Sequence, residues 1–267
     1  MINRSLTFVL CMIIFLITPA IYSQSDIDKE SLISQILSVD KIQRDSVHSV
    51  VFDAEYIEGE MKDGEFVEKV RFDKKIYVRY LPDTSFYHEE FLAYYKEGKK
   101  QEQNKLEDAA KERMEKKEKR KGRDISYSML KPFTDEYDSL YTIVYNGIAN
   151  DTIDGYVCHH FKVTANEESD ELINGDFYFD SESFHLVHVD FSPAKLVKKT
   201  MFKLKEMNMS ISYRPNDQNL WFPSQFDVSG KGKAMFFIGV KFAGTEYYRN
   251  PQENLMIDDK FEVLDGK

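Results

Sequence analysis

Hydrophobic and polar residues alternate along most of the chain, and this alternation predicts β-strands. In an extended chain Ile76, Val78 and Tyr80 share one face, whereas Lys75, Tyr77 and Arg79 share the other. The same pattern, interrupted by turn-forming residues, predicts ten strands, over residues 47–58, 66–81, 85–95, 139–148, 155–164, 172–180, 184–192, 199–213, 220–229 and 233–248. So many consecutive strands predict one large, curved antiparallel sheet in a mostly β, α+β fold.

The alternation changes phase once within the segment 199–213. The apolar set moves from Phe202 and Leu204 to Met207 and Met209, which is an odd step. Because a one-residue slip turns core side chains to solvent, a bulge or sharp bend is predicted near Lys205-Glu206. Such bends allow a sheet to coil.

Two segments have helical rather than strand-like patterns. Residues 26–44 place isoleucines and leucines at helical spacing, which predicts an amphipathic helix lying on an apolar surface. Residues 96–123 contain twelve lysines or arginines, seven acidic residues and no aromatic residue. This composition predicts a charged helical insertion. It is either a charged face that stays in water or a functional segment, namely a basic lid or an arm that binds a partner or anionic head groups.

The N-terminus has the pattern of a secretory signal peptide. An apolar run from Leu6 to Ile17 follows Arg4 and is too short for a stable membrane span. We expect cleavage before Gln24, with cleavage at Ala20 as the alternative. Residues 1–23 are then a signal peptide, and residues 24–267 form a single exported domain, expected in the periplasm of a Gram-negative bacterium.

Charge and cysteine content narrow the choice of function. Residues 1–23 carry one arginine and no acidic residue, so the net charge of −10 becomes −11 after cleavage. A surface this acidic disfavours binding to nucleic acid. Cys158 is the one cysteine outside the signal peptide, so a disulfide within the monomer is impossible. Stability is therefore expected to come from a packed core.

The sequence offers weak candidates for catalysis. His159 and His160 lie on opposite faces of a predicted strand, as do His185 and His188, so neither pair predicts a metal site. His159 is expected to be a hydrogen-bonded core residue. Cys158 and His160 share a face, and a hydrolase built on them is a third hypothesis behind two non-enzymatic ones. We expect no enzyme activity, no metal and no cofactor.

Large apolar side chains in excess of what one sheet face needs are the strongest functional signal. They predict either a pocket that binds an apolar ligand or an interior completely filled by the protein's own side chains. The expected inner-face, ligand-binding residues are Ile76, Val78, Tyr80, Phe177, Phe179, Phe236, Ile238, Val240 and Phe242.

Motifs over residues 45–250 resemble the LolA-like superfamily, which includes the periplasmic lipoprotein carrier and outer-membrane lipoprotein-sorting proteins. The resemblance is carried by residues 155–163 and 175–180, by Phe184-His185-Leu186-Val187 and Trp221-Phe222-Pro223, and by the closing strand 242–248. It implies an incomplete barrel that wraps around helices and holds acyl chains. The charged segment 96–123 departs from the family pattern.

Two main hypotheses follow. The first is an exported protein that binds an apolar ligand, either a lipid or an acylated lipoprotein, and functions in envelope trafficking. The second is a sensor or scaffold that binds an envelope protein partner, for which segment 96–123 is the candidate contact.

Overall fold

The computed structural model describes residues 28–62, 65–80, 85–118, 129–196, 198–199, 202–234 and 238–258. The expected signal peptide, residues 63–64 and residues 119–123 of the charged insertion lie outside these ranges. Within them, no helix combines the length and the apolar content needed to cross a membrane.

Within the described ranges, twelve strands form one antiparallel sheet. Their bounds are β1 Ser49–Lys62, β2 Glu65–Tyr80, β3 Ser85–Lys96, β4 Lys99–Lys100, β5 Tyr141–Ile148, β6 Cys158–Ala165, β7 Ile173–Asp180, β8 Leu186–Pro193, β9 Lys198–Lys199, β10 Phe202–Pro215, β11 Trp221–Ala234 and β12 Ile238–Glu253. All ten predicted strands are confirmed, and the two-residue strands β4 and β9 are additional. Two residues are too few for alternation to reveal them.

The sheet is open rather than closed into a barrel. Its strand order is β4-β3-β2-β1-β12-β11-β10-β8-β7-β6-β5, and β9 pairs with β10 beside this path. The last strand of the chain therefore lies beside the first. The predicted bend is confirmed, because the pairing of β10 with β11 shifts register between Leu204 and Glu206.

Helices cover one face of the sheet, which we call the inner face. Helix α1, Lys29–Ser46, contributes Leu32 and Ile36 to a core cluster that also contains Phe161 and Phe177. Helix α2, Gln103–Glu118, is the predicted charged helix. Two short 3-10 helices, Lys131–Phe133 and Asp135–Leu140, precede β5 and were not predicted.

Helix α1 is also attached through its C-terminal end. The Gln43 side chain donates to the backbone oxygen of Trp221 at 2.7 Å and accepts from the backbone nitrogen of Trp221 at 2.8 Å. An amide side chain can satisfy both backbone groups at once because it carries a donor and an acceptor side by side. The first helix is therefore fixed to the start of β11.

Candidate ligand-binding face

The inner face is continuous across the sheet. Directly paired residues point to the same side, and one row runs through Phe177, Val189, Ile211, Phe226, Glu246, Tyr56 and Phe72. The two ends of this row are different in character. Its β7 end is entirely apolar, whereas its β1–β2 end carries buried charges.

The described members of the predicted ligand-binding set lie on this inner face, but in separate places. Ile76 is buried with Phe52 and Phe222, and Val78 and Tyr80 pack against the same cluster. Phe177 and Phe179 belong to the other large cluster. Val240 and Phe242 are half-buried on β12. Phe236 and the side chain of Ile238 lie outside the described residues.

Phe133 closes the β6–β7 end of the inner face. Its ring stands edge-on to the rings of Phe161, Phe177 and Phe179, with centroids 5.7, 5.3 and 5.5 Å away. Phe177 and Phe179 are 0% exposed. Such edge-to-face contacts add to the apolar area already buried. This end of the face is therefore filled by the protein itself, and a ligand could reach it only if Phe133 moved.

The other end of the inner face contains a buried charged group, which we call the Lys74 cluster: Lys74, Glu89 and Glu246. The ammonium of Lys74 pairs with both carboxylates, and the Lys74 side chain is 0% exposed. Buried charges are tolerated when they are paired and hydrogen-bonded, since desolvation otherwise opposes them. Lys74 interrupts the apolar series between Phe72 and Ile76, and its position on the inner face was the one signal of this cluster in the sequence.

Two tyrosines add hydrogen bonds to the Lys74 cluster. The hydroxyl of Tyr87 donates to Glu89 at 3.0 Å, and that of Tyr248 donates to Glu246 at 3.0 Å. Burial, together with the nearby carboxylates, holds the pKa of both phenols well above the ordinary range. Both tyrosines are therefore neutral hydrogen-bond donors at physiological pH.

Helix α2 packs on this charged end of the inner face. Leu106 and Ala110 are 5% and 9% exposed, and the guanidinium of Arg113 lies 3.7 Å from the centroid of the Tyr56 ring. The expectation of a helix that merely stays in water is therefore incorrect for this side of α2. The apolar stripe of α2 is narrow, but it is sufficient for the helix to pack on the sheet. Burial raises the pKa of Tyr56 to about 12 against the opposing charge of Arg113.

The opposite face of the sheet carries two open depressions, of about 760 and 400 Å³. They adjoin at Asp190, Asn208 and Met209. The walls of the larger depression are mixed in polarity, whereas those of the smaller one are more apolar. Because both depressions are open to solvent, neither encloses an apolar ligand, and both are poor candidates for the apolar site.

The Cys158 thiol lies in the protein core. Its side chain is 0% exposed, and it donates to the backbone oxygen of Tyr156. Burial, and then the charge of Asp180, raises its pKa to about 11. Since the thiolate is the nucleophile, this environment gives the hydrolase hypothesis no support.

His159 and His160 lie on opposite faces of β6, as the alternation predicts. The expectation for His159 is confirmed: it is buried, and its Nδ1 lies 2.8 Å from the hydroxyl of Tyr145. Among the described residues, no group of three or more His, Cys, Asp or Glu side chains is arranged to hold a metal ion.

No protein-family model matches the chain, and no curated protein matches it at a significant level. Solved structures are similar in fold. A DUF1329 family protein from Desulfovibrio piger is 12% identical, with a TM-score of 0.46, over 87% of this chain and 96% of that protein.

Two further structures are similar at lower scores. A protein described as an outer membrane lipoprotein-sorting protein domain, from Vibrio parahaemolyticus, is 8% identical with a TM-score of 0.39, over 85% of this chain and 96% of its own. The LolA superfamily protein NE2245 from Nitrosomonas europaea is 9% identical, with a TM-score of 0.36, over 86% of this chain and 96% of that protein. These values are too low to carry a function over to this chain. The superfamily that the sequence motifs resemble is nevertheless represented among the structures to which the chain is similar.

Proposed function

We propose that this protein binds an amphiphilic ligand, a lipid or the acyl chains of a lipoprotein, on the inner face of its open sheet beneath helix α2. The observation that carries the proposal is the thin attachment of α2 over an otherwise continuous inner face. Leu106 and Ala110 are the buried apolar residues of this helix. So small an apolar contact contributes little to the covered state, at about 25 cal/mol per Å² of apolar area, and the main further contact of α2 is that of Arg113 with the Tyr56 ring.

The position beneath α2 is favoured over the position beneath α1. At the α1 end, Phe133 and the helix fill the surface, so Phe177 and Phe179 have no free area. Toward the other end, Val240 and Phe242 remain half-buried on the same face. Of the predicted ligand-binding residues, Val240 and Phe242 are therefore the ones we propose for first contact.

Dye displacement tests the proposal. An environment-sensitive apolar dye should bind the purified protein saturably and be displaced by fatty acid or phospholipid. Replacing Leu106 with Ser should increase the rate of dye binding, because it weakens the docking of α2. Met114→Ser is the matched control, since Met114 lies on the same helix and is 44% exposed. Absence of saturable binding in both the original protein and the Leu106→Ser variant would exclude this function.

A second candidate is a module that binds a protein partner and carries no ligand. Two features favour it. The β6–β7 end of the inner face is filled, and apolar side chains are exposed on or beside the edge strand β5: Val144, Ile148 and Val157 are 48%, 38% and 50% exposed. Exposed apolar surface at a sheet edge is a common contact for another chain.

Envelope pull-down separates the two candidates. The module predicts recovery of a defined envelope protein that Val144→Lys abolishes and Ile42→Lys preserves, because Ile42 is exposed elsewhere, on α1. It also predicts no dye binding.

Export to the periplasm forms part of both candidates and rests on the N-terminal pattern. N-terminal sequencing of the protein from a periplasmic fraction should begin at Gln24.

A further inference from the structure

Arg113 occupies a site on the sheet that has the chemistry of a cation receptor. Its guanidinium lies 3.7 Å from the centroid of the Tyr56 ring and 5.7 Å from that of Phe72. Phe72 is itself held by Tyr94, which stacks on it with centroids 4.9 Å apart. Cations are attracted to aromatic faces within about 6 Å, more strongly when desolvated.

Carboxylates strengthen the same site. Burial lowers the pKa of Arg113, but Tyr56, Glu89 and Glu246 raise it by more, so the pKa is raised overall. Glu89 and Glu246 pair with Lys74, and Glu58 accepts a hydrogen bond from Tyr56. The strands therefore carry more negative than positive charge beneath α2, and Arg113 offsets part of it.

Arg113 does not fit this site fully. Its Nε atom is buried without a hydrogen-bond partner among the described residues. A guanidinium presents five directional donors. The hydroxyl of Tyr56 accepts a hydrogen bond from Arg113, whereas the ring of Phe72 offers attraction without an acceptor. The surroundings suit a compact ammonium group better than a guanidinium, because an ammonium, and a quaternary one above all, needs fewer acceptors in fixed directions.

We infer that the ligand of the inner face is an amphiphile with an ammonium head group, and that Arg113 holds the place of this head group while the site is covered. This inference rests on the proposed function. When α2 moves away it removes Arg113, and the uncompensated negative charge favours a cation in its place. The hydrocarbon tail then extends along β12 from Glu246 past Phe242, four residues and about 13 Å away on the same face.

Three twelve-carbon surfactants test the inference, at concentrations below micelle formation and by calorimetry: dodecyltrimethylammonium, dodecyl sulfate and dodecyl maltoside. The variant Arg113→Met keeps the side-chain volume and removes the charge. It should bind the ammonium surfactant at least tenfold more tightly than the original protein does, without a gain for the sulfate. Lys111→Met is the control, since Lys111 is an exposed cation on the same helix.

Further variants identify the groups responsible. In the Arg113→Met background, Tyr56→Leu or Glu246→Gln should remove the preference for the ammonium surfactant. If Arg113→Met does not fold, Leu106→Ser loosens the helix and leaves the aromatic site intact, and it should show the same preference.

The outcomes that would overturn the inference are distinct. Equal binding of the three surfactants would leave the proposed function standing and refute the ammonium head group. No binding of any surfactant to any variant would refute both. Binding of tetramethylammonium as tight as that of the surfactant would identify a small-cation site rather than a lipid site.

Discussion

Lys74 on β2 and Glu246 on β12 form a buried ion pair across the strand that separates them. The residue of β1 that faces Lys74 is Ala54, and its small side chain allows the lysine to extend over β1. Glu89 on β3 approaches the same ammonium from the other side. One lysine therefore links the first three strands to the last strand of the chain.

Removal of Lys74 should be strongly destabilising. Lys74→Met removes the ammonium that pairs with two buried carboxylates and should lower the free energy of unfolding by about 3–5 kcal/mol. The triple variant Lys74→Met, Glu89→Gln, Glu246→Gln should recover most of this loss, because the lysine and both carboxylates of the cluster are then replaced by neutral groups. Urea denaturation measures both. A Lys74→Met variant as stable as the original protein would mean that the carboxylates are solvated.

Phe133 should control access to the apolar end of the inner face. Phe133→Ala removes a ring in contact with three buried phenylalanines and should lower the free energy of unfolding by about 3–5 kcal/mol. It should also create an additional dye-binding site over Phe177. Phe86→Ala is the control, since Phe86 is 42% exposed and its loss should cost about 0.5 kcal/mol or less. An unchanged number of dye molecules bound per Phe133→Ala protein would show that neighbouring side chains fill the volume left by the Phe133 ring.

The single tryptophan should report the protonation of His185. The two rings stack with centroids 5.3 Å apart. Burial lowers the pKa of His185, against an opposing effect of Asp180. Quenching of Trp221 fluorescence by the imidazolium should therefore have its midpoint below pH 6.5, the ordinary histidine value. His185→Gln should remove the transition, and a midpoint above 6.5 would contradict the assignment.

The same lowered pKa has a consequence for stability. Between the folded pKa and the unfolded value near 6.5, the unfolded chain binds the proton and the folded protein does not. The stability due to neutral His185 is thus complete above pH 6.5 and is lost as the pH falls toward the folded pKa. The free energy of unfolding, measured by urea denaturation between pH 5 and 7, should depend less steeply on pH in His185→Gln than in the original protein.

Gln43 should fix α1 to the sheet. Gln43→Ala removes two hydrogen bonds to the backbone of Trp221 and should lower the free energy of unfolding by about 1–3 kcal/mol. Hydrogen exchange at the Trp221 amide should become faster. Gln35→Ala is the control on the same helix, since the Gln35 side chain is exposed and hydrogen-bonds to Ser31 within α1. Equal exchange in the two variants would show that the helix is held by its apolar residues alone.

The prediction of local structure from the sequence was successful where periodicity was strong. Ten strands, the helix over residues 26–44 and the bend near Lys205-Glu206 follow from spacing alone, because spacing determines which side chains share a face. Phe133 was missed because a three-residue 3-10 helix is too short for a period. The ligand-binding role of the inner-face residues stays a prediction.

The amino-acid pattern by itself determined the elements, their two-sidedness and the position of the bend. Only the tertiary structure decided that β12 lies beside β1, and with it that Lys74, Glu89, Glu246 and Arg113 meet. The physical reason is that alternation specifies a face and not a neighbour. Residues far apart in the chain come into contact through strand order, which is set by the packing of the whole sheet and its covering helices.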